Sequence, residues 1–423
     1  MADFTLTEAQ GLAKKVYDDS VHDLRTEQSV IVSKLPFSDA SRVGDAYQVS
    51  MALRLPNGFT YAGSEGTSAT ALKAGRPMVL KQASIKPFEM DLREPVLWVA
   101  LSRLAKEGKA AVADSFGELM QGMKMSSMNR LEASALLGQR SLGTVESVTD
   151  LGGGAADLKI TEPTWRPGLW WAVGEGTTLD AFTSTTKNNG SGPLVISGIK
   201  SRERKITVTY TGTLANEVAA DDVLYFEGAW DGTTYSEMPG LIAQGAVTSG
   251  TSPIGLDTST YSNAKGNTYD VAGNMDFDVL EDVCADLRDR GASGVLKAYF
   301  PNRTVSKLLS QLRQLRIIDS SYSPQKAKVG TKGVEFETMD LGPVELIPHP
   351  FMAWGEGLVQ SEARLQRSGS SDISFTVPGL NNGQELIHVV NGYNRLELIN
   401  FSDQFVINKR PNHACHLTGI THT

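Results

Sequence analysis

Residues 276–315, DFDVLEDVCADLRDRGASGVLKAYFPNRTVSKLLSQLRQL, are the stretch on which the fold turns. Leu280, Val283, Cys284 and Leu287 repeat at the i, i+3, i+4, i+7 spacing of one helix face, Asn274 and Asp276 are cap candidates, and Gly291 suits the position just past a helix end. Val295, Leu296, Ala298, Tyr299 and Phe300 form a compact apolar run that reads as a buried strand. Pro301 and Asn302 stop that run before Val305, Leu308, Leu309 and Leu312 take up a second helical stripe. The expectation is one strand flanked by two helices.

Around this stretch lie 423 residues, 40% of them hydrophobic and 41 of them Gly, a length and composition that suit two or three domains with a sizeable core. A net charge of -8 and a pI near 5.4 argue against a dedicated nucleic-acid binder, which needs a basic face for phosphate. Cys284 and Cys415 are too few for a disulfide framework, and Cys284 falls on the apolar helix face, so a reducing compartment is expected. The start lacks a basic, then apolar, leader, and no apolar run approaches the roughly 18 residues of a membrane span. The chain reads as soluble, free of membrane contact and made in a cytoplasm.

Toward the N-terminus, Thr7 and Gln10 make a capping box, with Ala9, Leu12, Ala13 and Val16 along one side of a short helix. Isolated helices below about 12–15 residues are marginal, so this arm is expected to dock on its own body or on a neighbour. Tyr47, Val49, Met51, Leu53 and Leu55 alternate along one strand face, Pro56-Asn57-Gly58 is a turn, Phe59 and Tyr61 begin the return, and Met78 to Phe88 is extended again. This two-stranded excursion has too little apolar surface for a core of its own. It reads either as a solvent-exposed insertion or as a hairpin lying across a neighbouring subunit.

Glu94 to Leu137 is the longest helical candidate, with Pro95 in a first turn, Leu97, Ala100, Leu101 and Leu104 as a stripe up to Gly108, and Asp114 capping a second segment that runs to Gly138. Met120, Met123, Met125 and Met128 read as adaptable core packing rather than a metal or cofactor box. From Gly143 to Tyr261 helical periodicity gives way to short strands, at Asp157–Ile160, Leu169–Val173, Leu194–Ile199, Lys205–Tyr210 and Val223–Glu227, which suggest a small β-barrel or sandwich. Trp165, Trp170, Trp171 and Trp230 there suit either a sugar-binding face or core packing. Strands follow at Val334–Thr338, Gly342–Met352, Gly355–Val359, Val389–Phe401 and Gln404–Lys409, and Pro411–Thr423 reads as a polar tail.

Leu287, Gly291, Val295, Tyr299, Pro301, Asn302 and Leu308, followed by the Gly342-Pro343-Val344 strand, a proline-bearing turn and a Gly-rich strand, resemble the tailed-phage major capsid proteins of the Hong Kong 97 type. The resemblance implies an α+β fold with an N-terminal arm (1–35), an extended β-hairpin loop (36–93), a long spine helix and peripheral domain (94–142), an inserted β-barrel or sandwich domain (143–262), an axial domain (263–385), and a return to the peripheral domain with a tail (386–423). It also implies hexamers and pentamers of an icosahedral shell that encloses DNA without sequence-specific binding. Such a protein assembles in the host bacterial cytoplasm, ends in the virion, and has scaffold, portal and decoration proteins as partners. Intersubunit contact would fall to Tyr47, Val49, Met51, Leu53, Phe59, Tyr61, Lys73 and Lys81 of the loop. Some relatives join subunits by a Lys–Asn isopeptide bond, for which Lys73 or Lys81 and Asn391 or Asn394 are the available pairs. The rival readings are an encapsulin, a cellular shell of the same fold, and a carbohydrate-binding protein built on the tryptophan-rich segment.

Chemical motifs are sparse. Gly108-Lys109 lacks the upstream glycine of a phosphate loop, and neither a Gly-x-Ser-x-Gly elbow nor a His-Glu-x-x-His occurs. His413, Cys415 and His416 are the best zinc candidates, crowded into four residues of the expected tail. Asp278, Glu281, Asp282, Asp286 and Asp289 read as a solvated helix face. A structural protein without cofactor or metal is expected, and removing residues 36–93 is expected to spare the monomer while blocking a shell.

Overall fold

The computed structural model describes residues 29–40, 42, 44–61, 71–97, 109–318, 334–338, 342–375, 387–389 and 395–422. The expected helix over residues 7–16, the stripe at residues 100–104, and Asn391 and Asn394 lie outside the described residues.

After a short β1 (Phe37–Asp39), strands β2 (Tyr47–Arg54) and β3 (Val79–Ile85) form an antiparallel hairpin in which Tyr47 faces Ile85. Then β4 (Phe88–Leu97) runs antiparallel to the long β19 (Arg395–Asn408), from Phe88 opposite Gln404 to Leu97 opposite Arg395. This corrects the helix expected from Glu94. Among the described residues β4 pairs with β19 alone, so Pro95 lies in an edge strand, the place in a sheet where proline is tolerated. Helix α1 (Lys109–Leu137) runs unbroken through position 114, so the second helix start expected there does not occur. Its last turns, from Leu131 to Gly138, are buried on every side, so no amphipathic stripe survives there.

The β-rich segment contains β5 (Gly143–Gly152), β6 (Ala155–Ile160), helix α2 (Pro167–Val173), β7 (Thr178–Thr183), β8 (Thr186–Lys187), β9 (Leu194–Lys200), β10 (Lys205–Thr209) and β11 (Val223–Phe226). Strand order is β11-β5-β6-β10-β9-β7-β8, and β11 also pairs with β7, which closes six strands into a barrel. Leu169–Val173, read as a strand, is helical. Pro167 occupies the first turn, and Leu169 and Trp170 turn inward.

Helix α3 (Leu241–Gly245) leads to β12 (Asn267–Asn274), α4 (Phe277–Asp289), β13 (Leu296–Phe300) and α5 (Asn302–Ile318). The Asp276 carboxylate accepts the Val279 N–H at 2.9 Å, and the four stripe residues Leu280, Val283, Cys284 and Leu287 are all buried. Gly291 has φ +88°, its N–H donates to the Arg288 carbonyl, and the Ala292 N–H donates to that of Leu287, the paired bonds of a Schellman end. The remaining strands are β14 (Val334–Thr338), β15 (Gly342–Pro348), β16 (Gly357–Ser361), β17 (Leu365–Ser374), β18 (Ile387–Val389) and β20 (Ala414–Thr421).

One mixed sheet has the order β12-β20-β16-β13-β15-β14, and another has β1-β17-β19-β18 with β4 also on β19. Residues 414–421, read as a polar tail, are therefore a buried strand between β12 and β16, with Ala414, Cys415 and Leu417 sealed in the interior. The molecule is α+β. One apolar core joins the hairpin base, the end of α1, the barrel and the β19 sheet, and a second fills the space under α4, β13 and β20.

Candidate assembly interface

The hairpin divides into a docked base and a bare tip. Tyr47 is 1% exposed; its hydroxyl donates to Asp403 Oδ2 at 3.0 Å and its ring centroid lies 4.7 Å from that of Phe405. Asn263 Nδ2 donates to the Leu53 carbonyl at 3.1 Å, and the Ser84 N–H to the Ile254 carbonyl at 3.0 Å. Met51 and Leu53 are buried and Val49 is half-buried against the same core. Beyond Leu55 the described residues meet across the hairpin at the Asn57–Arg76 bridge and where the Lys73 N–H donates to Thr60 Oγ1 at 2.8 Å, and there Tyr61 is 89% and Leu72 86% exposed, with Phe59 also open. Of the eight expected contact residues, Tyr47, Val49, Met51 and Leu53 thus face the chain's own body. Phe59, Tyr61, Lys73 and Lys81 face outward.

The burial also revises the expectation that a deletion of residues 36–93 spares the monomer. Removing residues 36–93 would strip Tyr47, Met51, Leu53 and Ile85 from the core and half of β4 from β19.

Two buried carboxylates hold the units beneath the hairpin together. Glu132, in the enclosed end of α1, accepts from the N–H groups of Ile31 at 2.8 Å and Val32 at 2.9 Å, and from His349 Nε2 at 2.9 Å. Because His349 Nδ1 accepts the Phe351 N–H, the neutral Nε2–H tautomer satisfies both bonds. Burial pushes the Glu132 carboxyl up, but the His349 bond and the backbone donors outweigh it and hold it below the usual range. Glu356 accepts from Arg140 at 2.7 Å and Arg166 at 2.8 Å, tying the barrel mouth to the β20 sheet. Here too burial raises the carboxyl, while the two guanidinium groups hold it far below its ordinary value. A lone Glu among Leu131, Ala133, Leu136 and Leu137 was the available sign of the first device. Its donors lie 100 to 217 residues away, beyond any local pattern.

Between β4, α1 and the barrel lies a cleft of about 520 Å³ lined by Met90, Asn129, Arg130, Val173, Glu227 and Glu237, among others. The Arg130 guanidinium sits 3.1 Å from the Phe226 ring centroid, and burial lowers its pKa to about 10. Glu237 is 7% exposed, and burial raises its carboxyl despite the nearby Arg130 charge and the Ser134 hydroxyl beside it.

The other candidates are taken up elsewhere. Trp165 and Trp170 are sealed in the core, and Trp171 is 54% exposed with its Nε1 donating to Ser201 Oγ at 2.6 Å. His413 Nε2 meets the Arg290 carbonyl, Cys415 lies in the second core, and His416 contacts Arg140, so the three do not converge. Among the described residues no helix is long and apolar enough to cross a membrane.

No protein-family model and no curated protein matches the chain. Among solved structures it is similar to a chain of the Cyanophage A-1(L) capsid asymmetric unit, with TM-score 0.50, 11% identity, and 97% of each chain covered. It is also similar to a chain of the Cyanophage P-SCSP1u capsid, with TM-score 0.47, 8% identity, and 97% of this chain and 93% of that one covered. The first likeness shows the fold: this chain shares that of the cyanophage capsid chain over 97% of its length.

Proposed function

We propose that the chain is the major capsid protein of a tailed double-stranded DNA phage, with the Hong Kong 97-type fold, assembling into hexamers and pentamers of an icosahedral shell. The observation that carries this reading is the shared fold with the cyanophage capsid chain over 97% of both lengths. In its terms α1 is the spine helix, the β19 sheet the peripheral domain, the β20 sheet the axial domain, and the barrel the inserted domain. The bare hairpin tip gains its missing burial from a neighbour, so part of the subunit's stability belongs to the assembly. Scaffold and portal proteins, and a decoration protein on the outer surface, are its partners, and the acidic chain encloses DNA without gripping it. The role is structural, and assembly takes place in the host bacterial cytoplasm.

Electron microscopy of the recombinant protein after size-exclusion chromatography tests this. Hollow shells, or rings of five or six, are expected from the intact chain. Replacing residues 58–75 by a short glycine linker between Asn57 and Arg76 should leave a folded monomer that no longer assembles. A clean monomer from the intact chain, persisting with a scaffold supplied, would overturn the reading. Contents distinguish the encapsulin alternative, which would hold an enzyme rather than DNA.

A further inference from the structure

Two connections of the barrel meet over one buried carboxylate. The connection from β8 to β9 carries Gly190, Ser191 and Gly192, and the connection from β10 to β11 carries Gly212 and Glu217. Glu217 is 1% exposed, and neither of its carboxylate oxygens accepts a hydrogen bond. The two buried acids nearest in the same part of the chain are fully engaged. Asp180 accepts from Asn189 Nδ2 at 3.0 Å and from the Gly228 N–H at 3.1 Å, and pairs with Lys187 at 2.6 Å. Asp222 accepts from the Thr183 hydroxyl, from Asn188 Nδ2 at 2.6 Å and from the Ala219 N–H at 2.7 Å. Buried polar groups are almost always paired, so a bare carboxylate beside two paired ones points to a group that comes from outside the chain.

The backbone above Glu217 is shaped for oxygen. Gly212 has φ +104°, and a Cβ on it would lie 2.8 Å from Glu217 Oε1 and 2.7 Å from Ser191 Oγ. Glycine is required there twice over, for the backbone conformation and for the close approach of two oxygens from different connections. Ser191 and Gly212 are exposed, so the carboxylate lies just beneath the surface.

Charge narrows what Glu217 can take. Asp180, Glu217 and Asp222 are all buried, and among the described residues Lys187 alone forms an ion pair with any of them. A water molecule would supply donors and leave the charge of Glu217 uncompensated, whereas a cation answers both needs. Enclosure leaves no path for the long basic side chain of a partner, which favours a bare ion. No group of three His, Cys, Asp or Glu side chains gathers among the described residues, which sets aside the nitrogen and sulfur ligand sets of transition metals. One carboxylate, one hydroxyl and main-chain carbonyls are the ligand types of calcium, whose flexible coordination suits loop donors better than the strict octahedron of magnesium.

We propose that Glu217, with Ser191 Oγ and main-chain oxygens of the two connections, forms a calcium site that ties residues 188–192 to residues 212–217. The site goes beyond the shell-subunit reading and does not depend on it. With a single charged ligand it is weak, with a dissociation constant of about 10⁻⁴–10⁻³ M.

Calorimetric titration of the full chain with calcium chloride, after removal of metal by a chelator, tests it. One calcium per chain is expected, and about 10 mM calcium should raise the unfolding midpoint by about 2 °C or more. Glu217→Gln should abolish both effects, and Asp282→Asn, on the acidic face of α4, should change neither. Without calcium, Glu217→Gln should melt no lower than the parent, because it breaks no hydrogen bond. A parent chain indifferent to calcium would overturn the site. So would calcium that binds Glu217→Gln as it binds the parent, or whose effect disappears in Asp282→Asn instead, either of which would assign the ion to the acidic surface. A lower melt, or a failure to fold, of metal-free Glu217→Gln would show that the carboxylate is held by the protein itself, and would overturn it too.

Discussion

His349 Nε2 donates to Glu132 Oε1 across 2.9 Å, and both side chains are fully enclosed. The same carboxylate holds the Ile31 and Val32 N–H groups, so it fixes this backbone against the end of α1. Each orphaned buried donor costs about 1–3 kcal/mol, and Glu132→Ala strands several at once. The expected loss is about 3 kcal/mol or more in urea unfolding, with faster proteolysis around residues 29–35. An unshifted midpoint would show the clamp to be idle.

Acid should loosen the protein through the same groups. Glu132 and Glu356 both have folded-state values below the ordinary glutamate value of 4.5. Their contribution is therefore fully present above that value and is lost as pH falls through the lower folded values. The unfolding midpoint should be flat above about pH 5 and fall below it. Glu356→Gln should lower the plateau and flatten the fall; a slope unchanged by that substitution would assign the acid response to other carboxylates.

Gly138 ends α1 against the segment at Met238–Gly240. A Cβ there would lie 2.1 Å from the Met238 carbonyl oxygen and 2.6 Å from that of Ser134. Neither is the end of a flexible side chain. Gly138→Ala should cost about 1–3 kcal/mol, the usual scale of overpacking, whereas Gly117→Ala, with nothing within 4 Å, should be neutral or stabilising. Paired thermal melts of the two variants decide it.

Trp170 and Trp171 are adjacent and should behave oppositely. Trp170 is wholly buried and its ring centroid lies 6.4 Å from that of Trp165, so Trp170→Ala should cost about 3–5 kcal/mol. Trp171→Ser should cost far less and should change no glycan binding, since its neighbouring tryptophans are core. A glycan-array signal lost in the Trp171 variant would revive the carbohydrate reading.

Tyr61 contributes almost nothing to the isolated fold, being 89% exposed. Tyr61→Ser should leave monomer stability within about 0.5 kcal/mol and yet weaken association, measured by analytical ultracentrifugation. Equal effects on both would mean that the tip folds back on its own subunit.

The elements most legible in the sequence were those set by local chemistry. The α4 stripe, its Asp276 cap and its Gly291 end all appear as read, because each depends on residues within one or two turns. Pro95 misled because a proline suits a helix start and an edge strand equally, and only the distant β19 decides between them. Residues 414–421 misled because their histidines and threonines suggest solvent, whereas position between two strands buries them. Leu169–Val173 was too short for its apolar run to separate helix from strand, and Pro167 was the overlooked signal. In the hairpin, alternation identified the inward face of β2 but not what would cover it. That cover comes from residues 254–263 and from β19, more than 200 positions along the chain.

The pairing of β11 with β7 closes the barrel upon itself. An open sheet of the same length would present two rows of unspent N–H and C=O groups, each a template for stray pairing. On the shell-subunit reading proposed above, a chain that meets many copies of itself at high local concentration runs that risk at every encounter. Ring closure lets the chain carry an additional body of roughly 80 residues, from β5 to β11, without adding a sticky rim, and so leaves the choice of neighbour to the surfaces built for it.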